Sequence, residues 1–172
     1  MNSKLKVKNS KLAIVALGSN LGDSRQIILD VLARLQSFSD APVLKSSLWQ
    51  TSPVGCPPDS PKFVNAIASL APQKNETPES LLEKLRKLER EFGRAPKTVL
   101  NEPRPLDLDL IAFGRETRDT AELVLPHPRA HLRRFVLQPL SEIAPDLILP
   151  GQGKTVSQLL AGLPDDETVT RL

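Results

Sequence analysis

The chain has a single cysteine, Cys56. No disulfide can close within it, and no thiolate cage can hold a metal. The redox compartment is left open, and a reducing cytosol is the simplest setting. Aromatic residues are scarce, at 3%, whereas a sheet that stacks RNA bases depends on them. No apolar run is long enough to cross a bilayer. Residues 1–11 are polar, carry Lys4, Lys6, Lys8 and Lys11, and lack the apolar segment of a secretory signal; they are expected to form a flexible tail. Neither charge sign dominates, with 23 basic against 20 acidic residues and a net +3. That balance is too mild to argue for nucleic acid. Glycine is sparse, at eight against sixteen prolines. Many of the prolines gather at 53–61, 96–105 and 126–128, where they stiffen long loops. Long ordered loops in a compact domain often carry function.

What is present suits one folded domain over residues 12–172, in a chain of 172 residues that is 40% hydrophobic and 25% charged. Leu12–Leu17 is an apolar run that reads as a buried strand. Gly18, Ser19, Asn20, Gly22 and Asp23 mark the turn after it, and Asp23 or Ser24 can cap a helix. Ile27, Ile28, Val31, Leu32, Leu35 and Phe38 then recur at helical spacing. Val43–Gln50 and Phe63–Leu70 read as strands. Thr77-Pro78-Glu79 opens a second helix with the stripe Leu81, Leu82, Leu85, Leu88 and Phe92, and Gly93 stops it. Leu106–Phe113 is a strand and Glu122–Leu125 a short one. Phe135–Ile143 reads as a helix, Leu147–Leu149 as a short strand, Thr155–Leu160 as a helix and Thr168–Leu172 as a last strand. The order predicts an α+β fold: a ferredoxin-like βαββαβ core with additional helices, in three α/β/α layers. Such folds host many functions, so function must come from the site.

Asp107 and Asp109 alternate with Leu106, Leu108 and Leu110, so both carboxylates share one strand face about 6–7 Å apart. Two such carboxylates repel unless a cation or arginine lies beside them, and magnesium takes a few carboxylates plus phosphates and water. Charged edge strands are common, so the pair alone is ambiguous. A basic ring surrounds it in sequence: Arg94, Lys97 and Arg104 before, then His127, Arg129, His131, Arg133 and Arg134 after. Arginine forks match phosphate oxygens. Two histidines four apart, without HExxH, make a poor zinc site. The Gly18–Gly22 turn lacks the lysine of a nucleotide-binding P-loop. Phe63, Asn65 and Phe135 could clamp a flat heterocycle and read its edge, although phenylalanine is mostly core.

Four stretches occur in order: Leu17-Gly18-Ser19-Asn20-Leu21-Gly22-Asp23; Trp49-Gln50-Thr51-Ser52-Pro53-Val54-Gly55 with Phe63-Val64-Asn65; Pro103-Arg104-Pro105-Leu106-Asp107-Leu108-Asp109-Leu110; and Leu125-Pro126-His127-Pro128 with Arg133 through Leu140. Together they resemble the 6-hydroxymethyl-7,8-dihydropterin pyrophosphokinase family, from about Leu12 to Leu160. The resemblance implies transfer of pyrophosphate from ATP to the hydroxymethyl group of the pterin, giving AMP and the pterin diphosphate for folate synthesis. It implies two magnesium ions on Asp107 and Asp109 and ATP as co-substrate. It implies pterin contacts at Gly18, Thr51, Ser52, Val54, Phe63, Asn65 and Phe135, ATP contacts at Glu89, Arg94, Arg104, His127 and Arg133, and catalytic roles for Arg94, Arg104 and Asp109. The partners expected are small molecules, with neither nucleic acid nor membrane, for a cytoplasmic monomer. The loop departs from the family pattern. Gly93-Arg94-Ala95-Pro96 lacks a second arginine, Asn101 and Glu102 stand where an aromatic and a glycine are common, and Glu122 takes a basic position. A catalytically weakened paralogue that binds pterin or nucleotide is the alternative these departures raise.

Overall fold

The computed structural model describes residues 11–172, so the expected tail, apart from Lys11, lies outside the described residues. Strand β1 (Ala13–Ser19) leads into helix α1 (Ser24–Leu35). Asp23 caps that helix by accepting from the Gln26 N–H. Then come β2 (Leu44–Lys45), β3 (Trp49–Thr51), β4 (Phe63–Leu70) and α2 (Pro78–Glu91). As the Thr-Pro pair predicts, Thr77 caps α2 with Pro78 in its first turn, and Ser80 completes the capping box. Gly93, at φ +90°, ends it in a conformation that glycine adopts without strain. The chain continues through β5 (Asp107–Phe113), a small hairpin of β6 (Arg118–Asp119) and β7 (Val124–Leu125), α3 (Arg134–Ile143), α4 (Val156–Ala161) and β8 (Val169–Arg171).

The main sheet runs β5-β1-β4-β3-β8, and β2 also pairs with β4. Every pairing in it is antiparallel. Its two faces are covered by different helices. Val15, Leu17, Leu108 and Leu110 pack with Ile28 and Leu32 of α1 and with Leu81, Leu85 and Leu88 of α2. Ile14, Ile67, Ile111 and Ala112 pack with Val136, Leu137 and Leu140 of α3 and Val156 of α4. Strand alternation divides the apolar residues between these cores. In β5 a bulge interrupts the alternation: Val15 pairs with Leu110 and Ile14 with Ala112, so Ile111 is left over. The unpaired Ile111 carbonyl accepts from the His127 N–H at 2.8 Å.

Two strand expectations change. Val43–Gln50 is not one strand but β2 and β3, because the Ser46 hydroxyl accepts from the Ile67 N–H at 2.9 Å and breaks the ladder. Leu147–Leu149 is not a strand; the Leu147 carbonyl instead receives the Val156 N–H at the start of α4. No helix among the described residues is long and apolar enough to cross a membrane.

Candidate active site

The α3 side of the sheet opens, at the β5-β1-β4 end, into a cavity of about 430 Å³. Its floor follows from register. Gly18 pairs with Asp107 on one side and Asn65 on the other, and Ala16 pairs with Asp109 and Ile67. The central strand therefore contributes only small residues between the carboxylates of β5 and the amide of β4. Two strand spacings put those groups about 10 Å apart, enough for a flat ring and part of a phosphate chain. A Cβ on Gly18 would lie 3.1 Å from Asn65 Oδ1 and 3.6 Å from Phe63 Cδ1. Glycine here makes room for both groups.

At the β4 end, the buried Asn65 Nδ2 donates to Thr51 Oγ1 at 2.6 Å. The amide is thus locked, with its Oδ1 left to accept. Phe63 and Phe135 are half-buried and line the cavity together with Thr51, Ser52 and Val54. Each ring carries a guanidinium: Arg104 lies 5.2 Å from the Phe63 centroid and Arg133 5.3 Å from that of Phe135.

At the β5 end, Arg94 donates to Asp107 Oδ1 and Arg104 to Asp107 Oδ2, both at 3.0 Å. Arg94 also donates to the Leu106 carbonyl at 2.8 Å. Asp109 has no such partner among the described residues; burial, followed by the neighbouring Asp107 charge, pushes its carboxyl above the usual carboxylate range. Glu89 reaches across from α2 to accept the Leu108 N–H at 2.7 Å, bracing the strand between the two aspartates. Burial raises the Glu89 carboxyl to about 6, against the Leu108 bond and with help from Asp107 and Asp109. Burial, then Arg133 and Arg129, holds His127 down at about 4, so the imidazole is neutral at pH 7.

The donor set suits a divalent metal only in part. The described residues contain no cluster of three or more His, Cys, Asp or Glu that could hold an ion. The two aspartates are a partial ligand set of the kind magnesium completes with phosphate and water. The buried Arg104 Nε has no hydrogen-bond partner among the described residues, and an orphaned donor in such a site calls for an acceptor such as a phosphate oxygen.

A family model described as 7,8-dihydro-6-hydroxymethylpterin-pyrophosphokinase (HPPK) matches residues 14–145. The chain belongs to the HPPK family. It is 41% identical over 154 residues to a 2-amino-4-hydroxy-6-hydroxymethyldihydropteridine pyrophosphokinase of Pseudomonas aeruginosa, covering 87% of this chain and 90% of that protein. It is 35% identical over 169 residues to the folic acid synthesis protein fol1 of Pneumocystis carinii, covering 96% of this chain but only 22% of that much longer protein. Among solved structures, a triple mutant of Plasmodium falciparum HPPK-DHPS with pteroate superposes over 91% of this chain and 44% of that chain, at a TM-score of 0.69 and 14% identity. That last likeness concerns the fold alone.

Of the residues singled out in the HPPK-like motifs, Gly18, Thr51, Ser52, Val54, Phe63, Asn65, Arg104, Asp107, Asp109, Arg133 and Phe135 line the one cavity. Arg94 lines an adjoining hollow of about 260 Å³ and reaches the cavity through Asp107. Glu89 and His127 are not among the cavity's lining residues; each bonds β5 instead, Glu89 at the Leu108 N–H and His127 at the Ile111 carbonyl. Sequence reasoning missed Asn20, which is buried. Its N–H donates to the Arg104 carbonyl at 3.1 Å, its Oδ1 accepts the Arg104 N–H at 2.9 Å, and its Nδ2 donates to the Pro61 carbonyl at 3.2 Å. The one side chain thereby anchors both long loops. Arg129, Leu132 and Glu167 also line the cavity. Glu167 lies in a plain acidic run with nothing in its local pattern to single it out.

The departing loop residues bond within the protein. Asn101 Nδ2 donates to the Gly55 carbonyl at 2.7 Å, joining the two loops. Glu102 accepts from the Thr98 N–H, the Thr98 hydroxyl and the Val99 N–H. Glu122 is exposed, and its carbonyl accepts from Arg86.

Proposed function

We propose that this cavity transfers the pyrophosphoryl group of ATP to the hydroxymethyl oxygen of 6-hydroxymethyl-7,8-dihydropterin, releasing AMP, as the HPPK family does in folate synthesis. One observation carries the reading. A single cavity holds a ring clamp with a locked amide at one end and an arginine-flanked carboxylate pair at the other.

Phe63 and Phe135 stack on the pterin faces, and Asn65 Oδ1 accepts from the ring's amino edge. Main-chain groups near Gly18, Thr51, Ser52 and Val54 complete that wall. Asp107 and Asp109 would hold magnesium, and their spacing supports two ions. Bound magnesium draws charge from the phosphoryl oxygens. Arg94 and Arg104 exchange Asp107 for phosphate oxygens, with Arg133 alongside; neutral His127 can donate a hydrogen bond, while Glu89 keeps β5 in place. The pterin oxygen attacks the β-phosphorus, the bond from the β-phosphorus to the oxygen shared with the α-phosphorus breaks, and AMP leaves with that oxygen. Asp109, which lines the cavity, is the carboxylate placed to take the hydroxymethyl proton. Holding the alcohol in line with the phosphorus supplies much of the acceleration.

The antiparallel order β5-β1-β4-β3, with β2 and β3 counted as one interrupted strand, supports a ferredoxin-like core within a single domain over residues 12–172. The test is AMP production from ATP on adding hydroxymethyldihydropterin and magnesium. AMP in stoichiometry with pterin diphosphate is expected. A folded protein that binds pterin without making AMP is a binding paralogue, and the reading fails.

A further inference from the structure

Residues 103–105 read Pro-Arg-Pro. Neither proline has a main-chain N–H, so the Arg104 N–H is the one main-chain donor this stretch can offer. It goes to a side chain: Asn20 Oδ1 accepts it at 2.9 Å. The Asn20 N–H in turn donates to the Arg104 carbonyl at 3.1 Å. One residue thus holds Arg104 by both of its main-chain polar groups, beyond the point where the β1–β5 ladder ends at Gly18 and Asp107. Asn20 is only 2% exposed, so water is a poor substitute for these bonds.

The Arg104 side chain depends on that hold. Its guanidinium donates to Asp107 Oδ2 at 3.0 Å and to the Glu102 carbonyl at 3.2 Å, and it lies 5.2 Å from the centroid of the Phe63 ring. The third Asn20 bond, from Nδ2 to the Pro61 carbonyl at 3.2 Å, fixes the chain two residues before that ring. The cation and the approach to the ring beneath it are therefore tied to the same point. Asn20 is not among the residues lining the cavity, so it acts through Arg104. We infer that Asn20 is a positioning residue for phosphoryl transfer: it fixes the main chain of Arg104 so that the guanidinium meets the phosphate oxygens as it leaves Asp107. A group misplaced by about 1 Å costs about 10²-fold in rate, and a long arginine side chain has many rotamers to lose unless its root is fixed.

The inference rests on the reading of Arg104 as a phosphate-binding side chain, and the experiment separates the two. Initial rates of AMP formation are measured for wild type, Arg104→Ala, and Asn20→Ala and Asn20→Ser, each alone and combined with Arg104→Ala. The kcat/KM for ATP and the KM for pterin are taken separately. Asn20→Ala is expected to lower kcat/KM for ATP about tenfold to 10²-fold, with the pterin KM within about twofold. Asn20→Ser keeps a polar group in the buried turn but is too short to bridge Arg104 and Pro61. It should show the same loss, and it carries the test if Asn20→Ala folds poorly. Each double variant should match Arg104→Ala alone. Amide hydrogen exchange reads the bond without activity: the Arg104 N–H should exchange about 10²-fold faster in the folded Asn20 variant than in wild type. An unchanged kcat/KM for ATP in Arg104→Ala overturns the phosphate reading of Arg104 itself. A loss in Arg104→Ala with none in the Asn20 variants, an equal loss for both substrates, a further loss in the double variants, or an Arg104 N–H that exchanges as fast in wild type overturns the role of Asn20.

Discussion

The two ends of the cavity are built differently. The end with Asn65 and the phenylalanines, which we propose takes the pterin, is preformed. Asn65 is locked to Thr51, Gly18 leaves it room, and both belong to the strands that carry the core. The end with the aspartates, proposed to take the phosphates, is also rich in polar groups: Asp107 is shared by two arginines, and the buried Arg104 Nε has no partner among the described residues. One end is a template, while the other, in the proposed reaction, would trade internal ion pairs for substrate. None of the departures from the family's loop pattern falls on the strands of the template end.

The largest effect should come from the carboxylates. Asp107→Ala and Asp109→Ala are each expected to cut kcat by about 10³-fold or more, with the thermal midpoint little changed; a variant with full activity would remove that residue from the metal set. Next is Arg104→Ala, which takes away both the Asp107 partner and the cation over Phe63. A loss of about 10²-fold in kcat/KM for ATP is expected, and a loss confined to pterin would break the division drawn above. Gly18→Ala tests the template. Its Cβ would press on Asn65 Oδ1, so the pterin KM should rise about tenfold while the ATP KM holds, as measured by initial rates. Pro96→Arg restores a cation to the loop and should lower the ATP KM by only a few-fold, because exposed charges act through solvent. The smallest effect concerns pH. His127 is held at about 4 against an ordinary 6.5. The unfolded chain then binds the extra proton in that window, so His127 contributes stability above pH 6.5 that is lost as pH falls through 4. The melting midpoint of His127→Gln should therefore vary less with pH between those values than that of wild type.

Much of the fold and of both ends of the cavity was legible beforehand because it obeys local rules. Strand alternation put Asp107 and Asp109 on one face, and the same rule joined Phe63 to Asn65. Thr77, Pro78 and Gly93 announced the ends of α2. The misses share a different cause. Ser46 broke a strand by bonding backbone groups with its hydroxyl, which propensity does not reveal. Asn20 looked like a turn residue, although its side chain serves two loops 41 and 84 residues away in sequence. Glu167 enters the cavity only because β8 pairs with β3, two segments from opposite halves of the chain. Local pattern finds what a strand or cap needs, whereas these contacts are decided by which distant segment arrives.

The bulge at Ile111 has one more consequence. Before it, odd-numbered residues of β5 face the cavity; after it, the parity reverses, and Phe113 turns into the α1–α2 core. The strand is therefore two half-strands of opposite phase joined by one spare residue. Changes in the core around Phe113 need not rotate the aspartates, and changes at the aspartates need not unseat the core. Deleting that one residue would couple them.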